Sequence, residues 1–372
     1  MTTSPIRPFV AADIPQVAHL HESVFETGGH ANNGGGACYR EYFTHVFLDN
    51  PWRDEELPSL VYEDDGRIVG FLGVVPRWMS MNGERLRAAI ASQFVADPTS
   101  RTALVSVRLV AAFLDGPQDL SIADEGNDVS RTIWEGLGGT TALLRSMYWT
   151  RALRPARCFM AWLSGRGFGS LAAVATPASR IVDAVATRLP RSHFFQTPPP
   201  EPSADLGTDT VLARLPELAP GALRVEYDQT VFEWLLERAR ECRAPGTVRK
   251  AVVRSGPSVR GWYVYHLVPN ETAEVLQVAA RPSSIGLVLD HLFYDAWRHG
   301  AAAVSGRVEP SFLQAYFDKY CVFRRCGPWM LVHARRPDLL RPFQNGNAFF
   351  SRFDGEWCLG FQAAAPRAVW SQ

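Results

Sequence analysis

The chain has 372 residues, a formal net charge of +0, 47% apolar residues and 20% charged residues. At roughly 100–200 residues per domain this predicts two domains, each able to bury a core without metal or disulfide support. The neutral total excludes a general electrostatic attraction to nucleic acid, and the six cysteines, with no C-x-x-C pair among them, read as reduced thiols rather than a disulfide framework.

Ile6 to Phe9 reads as a short strand. Asp13, followed three residues later by Gln16, resembles a capping box, and Ile14, Val17, Ala18, His21, Val24 and Phe25 share one helical face. His21 on that apolar face reads as a satisfied core histidine. The Gly/Asn-rich stretch from Thr27 to Ala37 is a loop, with a second helix over Tyr39 to Leu48. Ser59 to Glu63 and Arg67 to Val75 form a hairpin about Asp64-Asp65-Gly66. Asn82-Gly83 turns the chain into a third strand, Arg85 to Val95. A nearly all-apolar helix, Ala103 to Leu114, must be buried on most sides. A strand Asp119 to Ala123, a helix Asp128 to Leu137 and a closing strand Leu143 to Arg151 complete the first half.

Arg154 to Leu189 reads as helical, apolar and arginine-rich, with Asp183 the only acid between Arg151 and Arg191. Its most economical role is an interdomain helix that packs Phe168, Leu171, Val174, Ile181, Val182 and Val185 inward. Two other roles are an anionic membrane face and, through Arg154, Arg157 and Arg166, a dock for an acyl carrier protein. The Pro-rich segment around Pro198-Pro199-Pro200 is a linker. We therefore expect an N-terminal domain at 1–152, a helical and Pro-rich linker at 153–210, and a C-terminal domain with an extension at 211–372.

The second half repeats the element order. It has a helix at Thr230 to Cys242, a hairpin at Lys250 to Arg254 and Gly261 to Leu267, and a strand at Ala273 to Ala280. A helix follows on the stripe Ile285, Val288, Leu289, Leu292 and Phe293. Then come a strand at Ala302 to Val308, a helix at Pro310 to Lys319 and a strand at Met330 to Ala334. The tail F-F-S-R-F-D-G-E-W reads as a hairpin or extended return.

Three segments of the first half resemble the GNAT superfamily of acyl-CoA-dependent N-acyltransferases. They are the opening I-R-P-F-V-A-A-D-I, the stretch V-A-D-P-T-S-R-T-A-L-V-S (Val95 to Ser106), and N-D-V-S-R-T-I-W-E-G-L-G-G (Asn127 to Gly139). The resemblance spans about residues 5 to 151 and, more weakly, 225 to 335. It implies an α/β fold (an α+β mixed sheet) in two tandem GNAT-like domains, and an acyl-CoA, commonly acetyl-CoA, as co-substrate.

By that resemblance Phe94, Val95, Arg101, Thr102, Ala103, Leu104, Val105 and Ser106 form the pyrophosphate segment. The physical logic is a helix N-terminus offering N–H groups and a favourable dipole to phosphate. Leu104 and Ser106 stand where the family has two small residues. The alternative is an apolar helix that binds nothing. Asn127 contacts pantetheine, caps its own helix, or does both. In the second half Arg281, Ser284 and Gly286 form a partial counterpart. Trp134 occupies the place of the family's general-acid tyrosine, and an indole N–H cannot serve as that acid. Tyr316 takes the matching place in the second half, where the alternative is a packing tyrosine.

An amine acceptor must lose a proton before it attacks a thioester. Asp124 and Glu125, at the end of a strand facing the cleft, are the first candidates for the base. Asp354 and Glu356 are the second, although Asp354-Gly355 is equally a turn signal. The acceptor would enter beside Asn32 and Asn33, and the strand around Ala91 to Val95 would splay from its neighbour to hold the thioester carbonyl. The nine histidines do not cluster with cysteines or acids at metal-ligand spacing. No apolar leader and no run of about 18 apolar residues appears, so the expectation is a cytoplasmic protein without a transmembrane segment. The expected function is acyl transfer to a small-molecule amine. A catalytically degenerate GNAT-like binding module, or a transferase fed by an acyl carrier protein, stands as the alternative.

Overall fold

A computed structural model describes residues 5–25, 35–100, 104–165, 179, 181–190, 192–219, 223–241, 246–325 and 328–361. The first half contributes strands β1 (Ile6–Pro8), β2 (Leu60–Asp64), β3 (Arg67–Met81), β4 (Glu84–Ala96), β5 (Leu120–Gly126), β6 (Thr140–Thr141) and β7 (Met147–Ala152). Its helices are α1 (Ile14–Phe25), α2 (Gly35–Phe43), α3 (Val105–Leu114), α4 (Asp128–Gly136) and α5 (Pro155–Gly165).

The rest supplies β8 (Ala204–Asp205), β9 (Leu223–Val225), β10 (Thr247–Ser255), β11 (Ser258–Leu267), β12 (Thr272–Ala280), β13 (Ala303–Arg307), β14 (Val322–Arg325), β15 (Trp329–Ala334) and β16 (Ala348–Phe349). Between them lie α6 (Thr208–Leu218), α7 (Gln229–Glu241), α8 (Ile285–Arg298), α9 (Leu313–Asp318), α10 (Arg341–Asn345) and α11 (Glu356–Leu359).

Local chemistry sets the hairpins. Asp65 and Gly66, and then Asn82 and Gly83, both adopt positive φ at successive positions, the backbone that a two-residue turn between right-twisted strands requires. Between those turns β3 is buried along almost its whole length, which matches its unbroken apolar run Ile68–Val75 better than a half-solvated alternation would.

Two mixed sheets result. The first runs β1-β2-β3-β4-β5-β15-β6, with β9 on the far end of β3 and β16 on β9. The second runs β14-β7-β13-β12-β11-β10-β8. The closing strands are exchanged. The segment expected to close the first sheet, Leu143 to Arg151, instead starts with a short 3-10 turn, Leu144–Ser146, and β7 pairs with β13 and β14 of the second sheet. In return β15 enters the first sheet between β5 and β6.

Packing explains what the pattern could not. Trp149 of β7 is 1% exposed among the second sheet's core residues and stacks on Tyr316 at 5.0 Å. Leu331 of β15 is fully buried among Leu72, Ala89, Val110 and Trp134 of the first half. Arg145, also fully buried, pins the crossing by donating to Glu309 at 2.8 Å and to the Phe350 carbonyl at 3.1 Å. One large core joins α1, α2 and β3 to α7, β11, β12 and the C-terminal segment, so the facing sides of the two sheets share apolar contacts.

Two further expectations are corrected. The tail is no hairpin: Glu356–Leu359 forms a helical turn whose Trp357, Cys358 and Leu359 are fully buried. Residues 181–186 are helical, but Ile181, Val182 and Val185 are more than half exposed, while Ser179, Asp183 and Thr187 face inward. Asp183 is the reason. Its carboxylate accepts the Ala156 N–H at 2.8 Å at the start of α5, which turns the polar side of that helical segment toward the protein. Phe168, Leu171, Val174 and Arg166 lie outside the described residues.

Candidate active site

The strand β4 pairs in parallel with β5 only from Ala88 to Ile90, against Leu120 to Ile122. Beyond that point both strands continue without pairing to each other, so the sheet opens into a split bounded by Ala91–Ala96 and Ala123–Gly126. The split expected from the sequence is therefore present. At its mouth β4 carries one residue more than β3 between Ser92 and Val95, a bulge that puts Gln93 at φ 52. A left-handed glutamine is strained, and bulges of this kind re-aim a side chain.

What holds Gln93 there is Glu356. One oxygen of that carboxylate accepts the Gln93 side-chain N–H at 2.6 Å and the Gln93 backbone N–H at 3.2 Å. Glu356 belongs to α11, which the core delivers into the split from the side of α1 and α2. Gly355 makes this approach possible: a Cβ at that position would fall 2.3 Å from the Asp124 carboxylate. With no side chain there, the Glu356 N–H reaches Asp124 at 2.8 Å. Glu356 is partly buried. Burial, with the charges of Asp124 and Glu125 nearby, pushes its carboxyl up to about 7. That value suits a base working near neutrality.

Gln93 is fixed from behind as well. His21 on α1, 3% exposed, contacts the Gln93 side-chain oxygen through Nε2 at 2.5 Å and the Tyr39 hydroxyl through Nδ1 at 3.2 Å. Burial pulls the imidazole down to about 4, so the ring is neutral at pH 7. Phe361 stacks on Tyr39 at 4.2 Å, and Tyr42 donates its hydroxyl to the Leu359 carbonyl. The aromatic wall of α1 and α2 thus meets the C-terminal segment directly over the split.

The two first-choice acids take other parts. Asp124 is fully buried and paired with Arg307 of β13 at 2.9 Å. A carboxylate so engaged is a fixed anion that orients α11, which corrects its assignment as the free base. Glu125, with a side chain 9% exposed, faces Arg352 at 3.8 Å. Arg352 also faces Glu274 of β12 at 3.5 Å, and the Arg307 and Arg352 guanidiniums flank the Tyr148 ring. Asp354 belongs to a separate buried network. It accepts from the Ser351 hydroxyl at 2.6 Å and from the Tyr227 hydroxyl. Tyr227 in turn accepts from Gln277 at 2.9 Å.

Tyr316 is 1% exposed and stacked on Trp149, and burial drives its phenol well above the ordinary value. It is a buried packing residue, which corrects its assignment as an acid. Trp134 is likewise core, 2% exposed against Phe113.

Of the expected cofactor residues, Arg101, Thr102 and Ala103 lie outside the described residues, as do Asn32 and Asn33. Phe94 is half-buried and Val95 is 2% exposed beside the split. Leu104 adopts φ 71 at the N-cap of α3 and is 62% exposed. The left-handed backbone that a small residue would favour is therefore reached by leucine itself. Val105 is buried against Leu109, Tyr62 and Val69. Ser106 is half-buried in the first turn. Asn127 caps α4 by accepting the Ser130 N–H at 2.8 Å.

In the second half Arg281 is spent on Glu217 at 2.9 Å, Ser284 is the N-cap of α8 with no side-chain hydrogen bond, and Gly286 faces open space. Of the arginines weighed as a carrier-protein dock, the two that are described are also engaged. Arg154 donates to the carbonyls of Ala301 and Trp297, and Arg157 bonds Asn270 and faces Asp183 at 3.5 Å.

Sequence reasoning missed Gln93 and Arg307; His21, read as a satisfied core histidine, is buried and hydrogen-bonded. One signal was available: A-S-Q-F-V-A in β4 and V-L-Q-V-A-A in β12 place a glutamine at matching positions after the parallel ladder. Among the described residues no group of three or more His, Cys, Asp or Glu is placed to hold a metal. None of the described helices is long and apolar enough to cross a membrane.

No protein-family model matches the chain, and neither does any curated protein. Solved structures do. A GCN5-related N-acetyltransferase from Anabaena variabilis aligns with a TM-score of 0.55 at 11% identity, over 88% of this chain and 71% of that one. A conserved protein of Enterococcus faecalis V583, described as a probable N-acyltransferase, aligns at 0.56 and 12% identity, over 90% and 72%. A GCN5-related N-acetyltransferase from Kribbella flavida aligns at 0.50 and 13% identity, over 88% and 70%. The alignments span both sheets, and the split after a short parallel ladder sits in the middle of the first: the chain has the GNAT fold.

Proposed function

We propose that the chain is an acyl-CoA-dependent N-acyltransferase, built as two GNAT-like units that exchange their closing strands, with the reaction in the first unit and Glu356 as its general base. The observation that carries this is the ionisable carboxylate held at the β4 bulge, inside the split between β4 and β5.

The acyl-CoA fits this split at its thioester end, where unpaired strand edges leave backbone N–H groups of β4 for a carbonyl oxygen. Such donors stabilise the oxyanion of a tetrahedral intermediate. At the other end, α3 begins on a left-handed Leu104 with no side-chain cap, which leaves its first turn for the pyrophosphate.

The amine acceptor enters from the side of α1, α2 and the C-terminal segment. Glu356 takes a proton from the neutral amine as its nitrogen forms a bond to the thioester carbon, and the C–S bond breaks to release the CoA thiolate. No described tyrosine occupies the place of a leaving-group acid in the first unit, so the thiolate takes its proton from solvent. Acyl-CoA is an intracellular metabolite, so this reading carries a cytoplasmic location with it.

The test is acyl transfer from acetyl-CoA and from a long-chain acyl-CoA to a panel of small amines, read as free thiol released, with Glu356→Gln beside the wild type. Turnover lost in the variant, with acyl-CoA still bound by calorimetry, supports the reading. Equal turnover in both proteins, or no acyl-CoA binding by the wild type, overturns it.

A further inference from the structure

Three side chains stand in line behind the proposed base, one each from α2, α1 and β4. Their donors and acceptors can be ordered without ambiguity once Glu356 is ionised. A carboxylate only accepts, so the group of Gln93 that faces it at 2.6 Å is the amide nitrogen. The Gln93 oxygen therefore faces His21, and because it too only accepts, Nε2 of His21 carries the proton across the 2.5 Å contact. The ring being neutral, Nδ1 has a lone pair, and the Tyr39 hydroxyl at 3.2 Å donates to it. Every link has one polarity. Reversing the Gln93 amide would set an oxygen against a carboxylate and a second donor against Nε2–H.

We propose that His21 is a positioning residue for the acyl-transfer reaction: through its Nε2–H it fixes the orientation of the Gln93 amide, so that this amide donates to the Glu356 carboxylate and holds it facing the acceptor amine. This rests on the reading of Glu356 as the base. His21 touches no reacting atom. Its burial and its place on an apolar helix face would suit a plain core residue equally well, so the test must move something that packing alone does not.

That quantity is the protonation of Glu356. The groups facing it are Asp124 and Glu125 from β5, with Arg307 from β13 and Arg352 from the C-terminal segment paired to them. The Gln93 amide and the neighbouring Ser92 hydroxyl are the neutral groups on its other side. When His21 no longer holds the amide, Gln93 is free to present its oxygen, which favours the protonated acid. The Glu356 midpoint then rises.

The experiment is a carboxyl-carbon NMR titration of 13C-glutamate-labelled full-length protein, with the Glu356 signal assigned by its loss in Glu356→Gln. It is run on wild type, His21→Ala, His21→Gln and Tyr39→Phe. The expected result is a midpoint raised by about one pH unit in His21→Ala, the size of one hydrogen bond to a charged group. Tyr39→Phe, which keeps the ring stacked on Phe361, gives a smaller rise. His21→Gln, whose amide nitrogen can reach the Gln93 oxygen, restores the wild-type midpoint. An unchanged midpoint in both His21→Ala and Tyr39→Phe overturns the proposal, as does a rise in His21→Gln equal to that in His21→Ala. If His21→Ala does not fold, the other two variants decide the matter alone.

The titration needs no turnover, so it separates the two claims. A shifted midpoint in a protein that acylates no amine would keep the positioning line and remove the acyltransferase reading. Where turnover is measured, the acid limb of kcat/KM moves with the NMR midpoint, and the KM for acyl-CoA stays as in the wild type.

Discussion

The two sheets carry the same device with opposite contents. In each, a long strand pairs in parallel with its neighbour for three residues and then bulges: β4 after Ile90, β12 after Glu274. In each, a glutamine follows. Gln93 lies in the left-handed region and holds a partly buried carboxylate near its titration point. Gln277 is 1% exposed and fully wired, accepting from Trp262 at 2.9 Å and donating to Tyr227 and Ser351.

The first split holds an ionisable group. At the second, Gly306 of β13 is packed so near Trp149 and Val275 that a Cβ there would come within 3.0 Å of them. On the proposed reading, the duplicated geometry has become one site and one scaffold. The scaffold half also serves the site, because the chain that leaves it delivers Asp354-Gly355-Glu356 back to the first split.

The sharpest way to break this contrast is to neutralise the carboxylate. Glu356→Gln should lower kcat/KM by about 10²- to 10⁴-fold, the usual worth of a positioned base. In the wild type, kcat/KM should fall tenfold per pH unit below about 7, where Glu356 becomes protonated. The stability sign runs the other way. The folded-state value of Glu356 lies above its ordinary carboxyl value of 4.5, so the folded protein binds the extra proton between those limits. This contribution to stability is present below about 4.5 and is lost as pH rises through about 7. Glu356→Gln lacks that term, so its urea midpoint relative to wild type should improve between pH 5 and pH 8. A variant that keeps full activity would move the chemistry out of the first split.

Next in size is the ion pair beneath α11. Arg307→Met strands Asp124 as a buried charge without its partner. Breaking such a pair from one side costs about 3–5 kcal/mol. The loss should appear in chemical unfolding and also displace Glu356, whose N–H rests on Asp124. Gln277→Leu should cost about 1–3 kcal/mol by leaving the Trp262 N–H and the Ser351–Tyr227 network short of a partner. Its acyl-CoA affinity should be unchanged, because the second split is scaffold. A loss of acyl-CoA binding in Gln277→Leu would mean the second unit is a working site after all.

Element order was legible because it rests on local rules: turn residues with positive φ and strand runs lie within a few residues of one another. The split was expected from the resemblance instead, and Gln93 beside it was not foreseen. The strand exchange was not legible. Met147–Ala152 and Trp329–Ala334 are both six-residue strands carrying a tryptophan and other apolar residues, and the choice of sheet depends on whether Trp149 or Leu331 fills a given gap. The proposed base was half legible: D-G-E was visible as a candidate, but a glycine that admits a helix turn to within contact of Asp124 looks in sequence like any turn. Asp124 and Glu125 border the split as the sequence suggested, but their arginine partners were not legible, because Arg307 and Arg352 come from positions about 180 and 230 residues away.

The smallest effect gives the cleanest check on the second half. Arg281 stands where the sequence suggested a phosphate ligand, but its guanidinium is half exposed and bound to Glu217, itself 40% exposed. An exposed pair of this kind is worth about 0–1 kcal/mol. Arg281→Ala should therefore leave unfolding nearly unchanged, with no change in acetyl-CoA affinity by calorimetry. The reason is geometric as well as electrostatic. The arginine is turned toward α6 rather than across the first turn of α8, where Ser284 offers no capping hydrogen bond and Gly286 leaves space that nothing fills. If Arg281→Ala weakened acyl-CoA binding tenfold or more, the ion pair with Glu217 would have to open to receive phosphate. The two splits would then differ in occupancy rather than in kind.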